Sequence, residues 1–188
     1  MEDYVYDSIK ATIGSRVPES GGILGGNLED NPLHINRFHD LRPAFNGSHT
    51  GASAGHFSPD HLEMNHVIDN IWTPLNYWIN GVIHSHPGSM SSLSQGMKGT
   101  NDGDVEYFTN LLNHEDSIKN GLNVLIAPIV TFSHAGDMNI TTWTLTRKNP
   151  FPRKARLLIV HDEKVMPVAL YEELFIIDNE STYRIQSK

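Results

Sequence analysis

The segment His84-Ser85-His86-Pro87 ends an apolar stretch, YWINGVIH at residues 77–84. On an extended chain, residues i and i+2 face the same side, so both imidazoles can aim at one point and grip a metal ion. Pro87 stops the strand and stiffens the chain leaving it. Two exposed strand-end histidines would carry the same letters, so the pair alone leaves both readings open. Further on, Asn101-Asp102-Gly103-Asp104 opens a run of helical periodicity. Asn101 suits a helix N-cap and Asp104 the first turn, where a carboxylate complements the helix dipole. On its own that is a capping motif. Downstream of the histidine pair, Asp104 is also a candidate third ligand, because two His, one Asp and a water make the open tetrahedral site of a catalytic zinc. Glu19, just ahead of Gly21-Gly22, could take a proton from such a water and pass it to a leaving amine; alone it would be a surface carboxylate.

Composition restricts the alternatives. The 188 residues include 11 His and no Cys, which removes disulfides, thiol nucleophiles, Cys-ligated zinc and Fe–S clusters together. Any transition metal must therefore be held by His, Asp or Glu. With 14 Lys+Arg against 22 Asp+Glu the formal charge is −8, which excludes a basic groove for nucleic acid. A 38% hydrophobic share and a mean hydropathy of −0.35 fit a globular chain with a core. No apolar run approaches the ~18 residues of a membrane span, and the N-terminus MEDYVYDSIK is acidic without an apolar signal segment. No membrane association and a cytoplasmic location are expected.

The elements that must position these residues read as follows. Tyr4–Ser15 is an amphipathic helix with Val5, Ile9 and Ile13 on one face. Residues 19–26 form a short buried strand, and Leu33–Leu41 its hairpin partner across a polar turn. Arg42–Phe57 is a mobile loop rich in Gly, Ser and His. Ser58 caps a helix with Pro59 at its first position, and Met64, Val67, Ile68 and Ile71 make its apolar face. Tyr77–His84 is a strand, Gly88–Thr100 a small-residue loop, and Asp104–Asn113 a helix with Val105, Phe108 and Leu112 inward. Leu122–Val130 is a buried central strand, Ile140–Arg147 a half-exposed one, and Ala155–Val160 another. Lys148–Arg156 is a turn, and Val165–Ile177 is either strand or helix. This order gives one mixed α/β domain over residues 1–188, a curved sheet flanked by helices. His49, His56, His61 and His66 form no ligand pair, His34 and His39 face opposite sides of a strand, and Trp72, Trp78 and Trp143 belong to the core or a sheet face.

Glu19-x-Gly-Gly-x-Leu-Gly, then His84-Ser85-His86-Pro87, then Gly103-Asp104 followed by Val105-Glu106-Tyr107-Phe108, together resemble the JAMM/MPN (JAB) metalloprotease family. The likeness covers roughly residues 4–135 and is strongest to the bacterial Prok-JAB branch. It implies a Zn²⁺-dependent isopeptidase or peptidase that cleaves at the C-terminal tail of ubiquitin or a ubiquitin-like protein. In that resemblance His84, His86 and Asp104 hold the zinc and Glu19 is the general base, then acid. The implied partners are a ubiquitin-like protein or its conjugates and cognate activating or conjugating enzymes of a bacterial pathway, in some members one of antiphage defence. The resemblance leaves two alternatives, a JAB peptidase acting on sulfur-carrier or phage-tail substrates and a catalytically silent MPN scaffold; such scaffolds lack a ligand or the Glu, whereas this chain has all four, with Asp104 displaced.

One spacing departs from the family. The pattern H-x-H-P, six residues, Ser, two residues, Asp puts Ser94 on the Ser but Met97 on the Asp, and a thioether is a poor ligand for a hard metal. Asp104 lies seven residues later. Either the loop has grown ahead of the motif and Asn101 replaces the Ser, or Ser94 keeps its place and the insertion follows it. We take Asn101 as the oxyanion donor, since an amide N–H can serve there, with Ser94 as the alternative.

Overall fold

The computed structural model describes residues 1–15, 20–31, 33–41, 59–96 and 103–160, with the short segments 45–46, 49–50, 52–53, 56–57, 175–177 and 182–184. Helix α1 (Asp3–Ala11) and a following 3-10 turn bury Val5, Ile9 and Ile13. Strand β1 (Gly21–Asn27) lies between β2 (Arg37–Leu41) and β3 (Tyr77–Ser85), antiparallel to both, with Gly21 opposite Leu41 and His84. Strand β3 runs parallel to β4 (Val124–Phe132), with His84 opposite Ile129. A parallel neighbour requires a crossover, and the chain spends it on α3 (Asp104–Asn113) and α4 (Glu115–Lys119). Antiparallel β5 (Met138–Thr146) and β6 (Asn149–Ala155) complete a six-stranded mixed sheet in the order β6-β5-β4-β3-β1-β2. The protein is a single α/β domain, as the alternation of patterns predicts.

Strand periodicity divides the core between the two sheet faces. Leu24, Ile83, Ile126 and Val130 pack with α1 residues Val5 and Ile9. Ile23, Val82, Leu125 and Ile129 point the other way, toward Met64, Ile68, Phe108 and Leu112. His84 shares the parity of Val82, so it faces α3.

Several local expectations are corrected. Strand β2 begins at Arg37, not Leu33, because the side chains of Asn27 and Asn31 accept N–H bonds from Glu29 and Leu33 and hold a polar turn there. Helix α2 (His61–His66) is capped by Asp60, whose carboxylate accepts from Leu62 N–H at 2.9 Å and Glu63 N–H at 3.2 Å. Ser58, the expected cap, lies outside the described residues. Helix α2 continues as a π-helical turn over Val67–Trp72, and the wider turn shifts the buried face by about one residue. Trp72 is therefore buried, whereas Ile71, expected inside, is 45% exposed. The expected turn at Lys148–Arg156 is instead mostly strand β6 at the edge of the six-stranded sheet, where Pro150 and Pro152 are tolerated because, among the described residues, no further strand pairs with its outer side. The chain after Ala155 is irregular, not a strand, until Val160 bridges to Glu2 beside α1.

Within the expected mobile loop Arg42–Phe57, the described backbone forms two-residue ladders, Phe45–Asn46 with His49–Thr50 and Ala52–Ser53 with His56–Phe57. Of Val165–Ile177 only Phe175–Ile177 is described, as a strand paired with Thr182–Arg184. Helix α4 has no counterpart in the sequence reading. Among the described residues no helix is long and apolar enough to cross a membrane.

Candidate metal centre

The strand β3 is buried between β1 and β4, and its C-terminal end carries His84 and continues into His86. They are 3% and 6% exposed. Their Nε2 atoms approach to 2.8 Å, and the Asp104 carboxylate at the start of α3 meets both, Oδ1 at 3.2 Å from His84 and Oδ2 at 3.5 Å from His86. A tetrahedral ion with bonds of about 2.0–2.1 Å separates its ligands by about 3.3 Å, so this triangle has the size of one face of such a site. Among the described residues it is the one grouping of three metal-ligating side chains within bonding range of a common point.

Two facing imidazole nitrogens at 2.8 Å need a proton or a cation between them, because two lone pairs would repel. The Nδ1 of His86 lies 3.0 Å from the Met90 carbonyl, which can only accept. Nδ1 therefore carries the hydrogen, and neutral His86 presents Nε2 as a lone pair, the state a metal requires. His84 is flanked by Phe57, stacked at 6.3 Å and 14°, and by Phe108 at 6.2 Å. Burial pushes the Asp104 carboxyl up, but the bond from His84, reinforced by the Ser94 N–H, holds it well below the usual carboxylate range. Asp104 is thus an anion ready to ligate.

Asp104 is set by a reciprocal pair across the preceding loop. Ser94 N–H donates to Asp104 Oδ2 at 2.7 Å, and Ser94 Oγ accepts the Asp104 N–H at 2.9 Å. The N-cap residue of α3, Gly103, has no side chain to do this, so Ser94 caps the helix from ten residues away. A Cβ on Gly103 would lie 2.3 Å from Gly96 N and 2.5 Å from Gln95 C, so glycine permits the approach. Gly21 does the same beside His84, where a Cβ would fall 2.6 Å from Ile83 O and 2.9 Å from His84 Cβ.

Of the residues singled out from sequence, the fold brings together His84, His86, Asp104 and Ser94. Glu19 and Asn101 lie outside the described residues, as does Met97. Ser20, the neighbour of Glu19, is fixed against Ser85, donating N–H to Ser85 Oγ at 3.0 Å and accepting Ser85 N–H at 2.8 Å. His34 is not on a strand and sits between Asp30 and Glu2, at 2.9 and 2.5 Å, while His39 contacts Glu63 at 3.3 Å. His61 lies against Tyr107 and His66 against Asn70, away from the triangle. The side chains of His49 and His56 are outside the described set. The sequence reading missed Phe57 and the Met90 carbonyl, because a stacking partner and a main-chain acceptor leave no motif.

No family model matches the chain, and the comparison with curated proteins gives no match either. Solved structures do resemble it. A protein of Desulfitobacterium hafniense, determined in solution, aligns over 87% of this chain and 92% of its own with a TM-score of 0.54 at 15% identity. A protein of Salinibacter ruber aligns over 89% and 95% with a TM-score of 0.45 at 15% identity. At that identity the first likeness concerns the fold, and the chemistry must be argued from the residues themselves.

Proposed function

We propose that this protein is a zinc-dependent isopeptidase or peptidase acting at the C-terminal tail of ubiquitin or a ubiquitin-like protein. The observation that supports the reading is the convergence of His84, His86 and Asp104 on one buried point, with mutual distances of 2.8–3.5 Å. These three would hold the ion, and the choice of zinc over other divalent metals rests on the resemblance to the JAMM family. When bound, zinc would polarise the scissile carbonyl and make a water acidic near neutral pH. Glu19, next in the chain to the anchored Ser20, takes the water's proton on its carboxylate and delivers it to the departing amine. Ser94 uses a lone pair to accept from Asp104 N–H, which keeps its hydroxyl proton for donation to the developing oxyanion. That arrangement speaks for Ser94 over Asn101 in the oxyanion role. The setting that fits is a bacterial ubiquitin-like conjugation pathway in the cytoplasm, with its activating or conjugating enzymes as partners.

The test is cleavage of a purified ubiquitin-like fusion, with and without a chelator, by the wild type and by Glu19→Ala. We expect cleavage by the wild type, its loss on chelation and return with added zinc, and its loss in Glu19→Ala with the zinc content unchanged. Cleavage that survives chelation or Glu19→Ala would overturn the mechanism.

A further inference from the structure

We infer that Trp143 is a positioning residue for the metal ligand His86, an inference that rests on the metal centre proposed above. The stretch from Pro87 to Gly96 is neither helix nor strand, yet it supplies the Met90 carbonyl that fixes the tautomer of His86. An irregular segment holds a carbonyl in place only if something else holds the segment. Trp143 stands on β5, packs its ring against the α3-side core, and donates Nε1–H to the Ser91 carbonyl at 2.8 Å. The Met90 carbonyl shares one rigid peptide plane with the Ser91 nitrogen, so a bond at the next carbonyl limits how that plane can turn. Leu93, 7% exposed, anchors the far side of the loop. The indole thus acts through two consecutive carbonyls: Trp143 holds Ser91, Ser91 orients Met90, and Met90 keeps the hydrogen on His86 Nδ1 and the lone pair on Nε2. Outer partners of metal-bound histidines set ligand orientation and basicity, and their removal costs about 10–100-fold in metal affinity.

The probe is zinc alone, titrated into the full-length protein against a chromophoric chelator. Trp143→Phe keeps the aromatic packing and removes the N–H. The matched control is Trp78→Phe, since Trp78 belongs to the same core and its buried indole nitrogen has no hydrogen-bond partner among the described residues. We expect Trp143→Phe to bind zinc about tenfold more weakly and Trp78→Phe to bind as the wild type does. In metal-free protein, two-bond ¹H–¹⁵N spectra should show His86 in the Nδ1–H tautomer in the wild type and a mixture in Trp143→Phe. A Trp143→Phe variant with wild-type affinity and an unmixed His86 tautomer would overturn the inference while leaving the metal centre standing. A wild type that binds no zinc would instead overturn the metal centre, and the tautomer spectra would still decide the role of Trp143. Should Trp143→Phe not fold, the unmutated protein supplies the test, because coupling between sites is reciprocal. Zinc should then slow solvent exchange of the Trp143 indole proton, and equal exchange with and without zinc would refute the inference.

Discussion

Replacing Gly103 by alanine separates local strain from loss of the proposed metal centre. Gly103 has φ −92° and ψ 148°, a backbone conformation alanine adopts freely, so the conformational term alone would stabilise by about 0.4–1 kcal/mol. The added Cβ, however, would stand 2.3 Å from Gly96 N, 2.5 Å from Gln95 C and 2.8 Å from Gln95 O, all backbone atoms. Ordinary contacts of this kind are near 3.5 Å, so either the loop or the start of α3 must move by about 1 Å. Overpacking of this sort costs about 1–3 kcal/mol, which leaves a net destabilisation of up to about 2.6 kcal/mol. The same shift breaks the Ser94–Asp104 pair and displaces a carboxylate from nitrogens only 3.2 and 3.5 Å away. We therefore expect zinc affinity to fall at least tenfold. Gly121→Ala is the comparison: its φ of +75° strains any L residue by about 1–2 kcal/mol, and no atom lies within 4 Å of the new Cβ. Urea unfolding and chelator competition on both variants give the answer. A Gly103→Ala protein that binds zinc like Gly121→Ala at equal stability would refute the reasoning.

Two further outcomes follow from the fold. The π-helical turn after α2 predicts that Trp72→Ala costs about 3–5 kcal/mol in urea unfolding, while Ile71→Ala, at a half-exposed position, costs under about 0.5 kcal/mol; the opposite order would place the turn wrongly. The hydrogen bond from His34 holds the Asp30 carboxyl below the ordinary aspartate value. A carboxyl lowered in the folded state stabilises above its unfolded pKa, near 3.9, and that contribution is lost as the pH falls through the folded value. Carboxyl NMR titration should place the Asp30 midpoint below 3.9 in the wild type and nearer to it in His34→Ala, and an unchanged midpoint would remove His34 as the cause.

What chain-local physics decides is visible in the sequence. Alternation and parity put His84 and His86 on one side of a strand, helical periodicity bounds α3 at Asp104–Asn113, and the absence of Cys confines any transition-metal site to His and carboxylates. Local signals failed where neighbours outvote propensity. The prolines of β6 read as a turn because nothing in the sequence says the strand lies at an edge, and the face of the helix after Asp60 shifted because a π turn has no sequence marker. The seven-residue displacement of Asp104 from the family spacing is the clearest division. Spacing along the chain could not tell which side of Ser94 the extra residues occupy, because distance in sequence does not measure distance across a loop. Only the tertiary structure brings Ser94, Gly103 and Asp104 together, through a close backbone approach that needs a missing Cβ, and only it supplies the Met90 carbonyl and the Trp143 indole behind His86. Main-chain acceptors and glycine gaps carry no side-chain pattern, so these parts of the site exist only once the chain has folded.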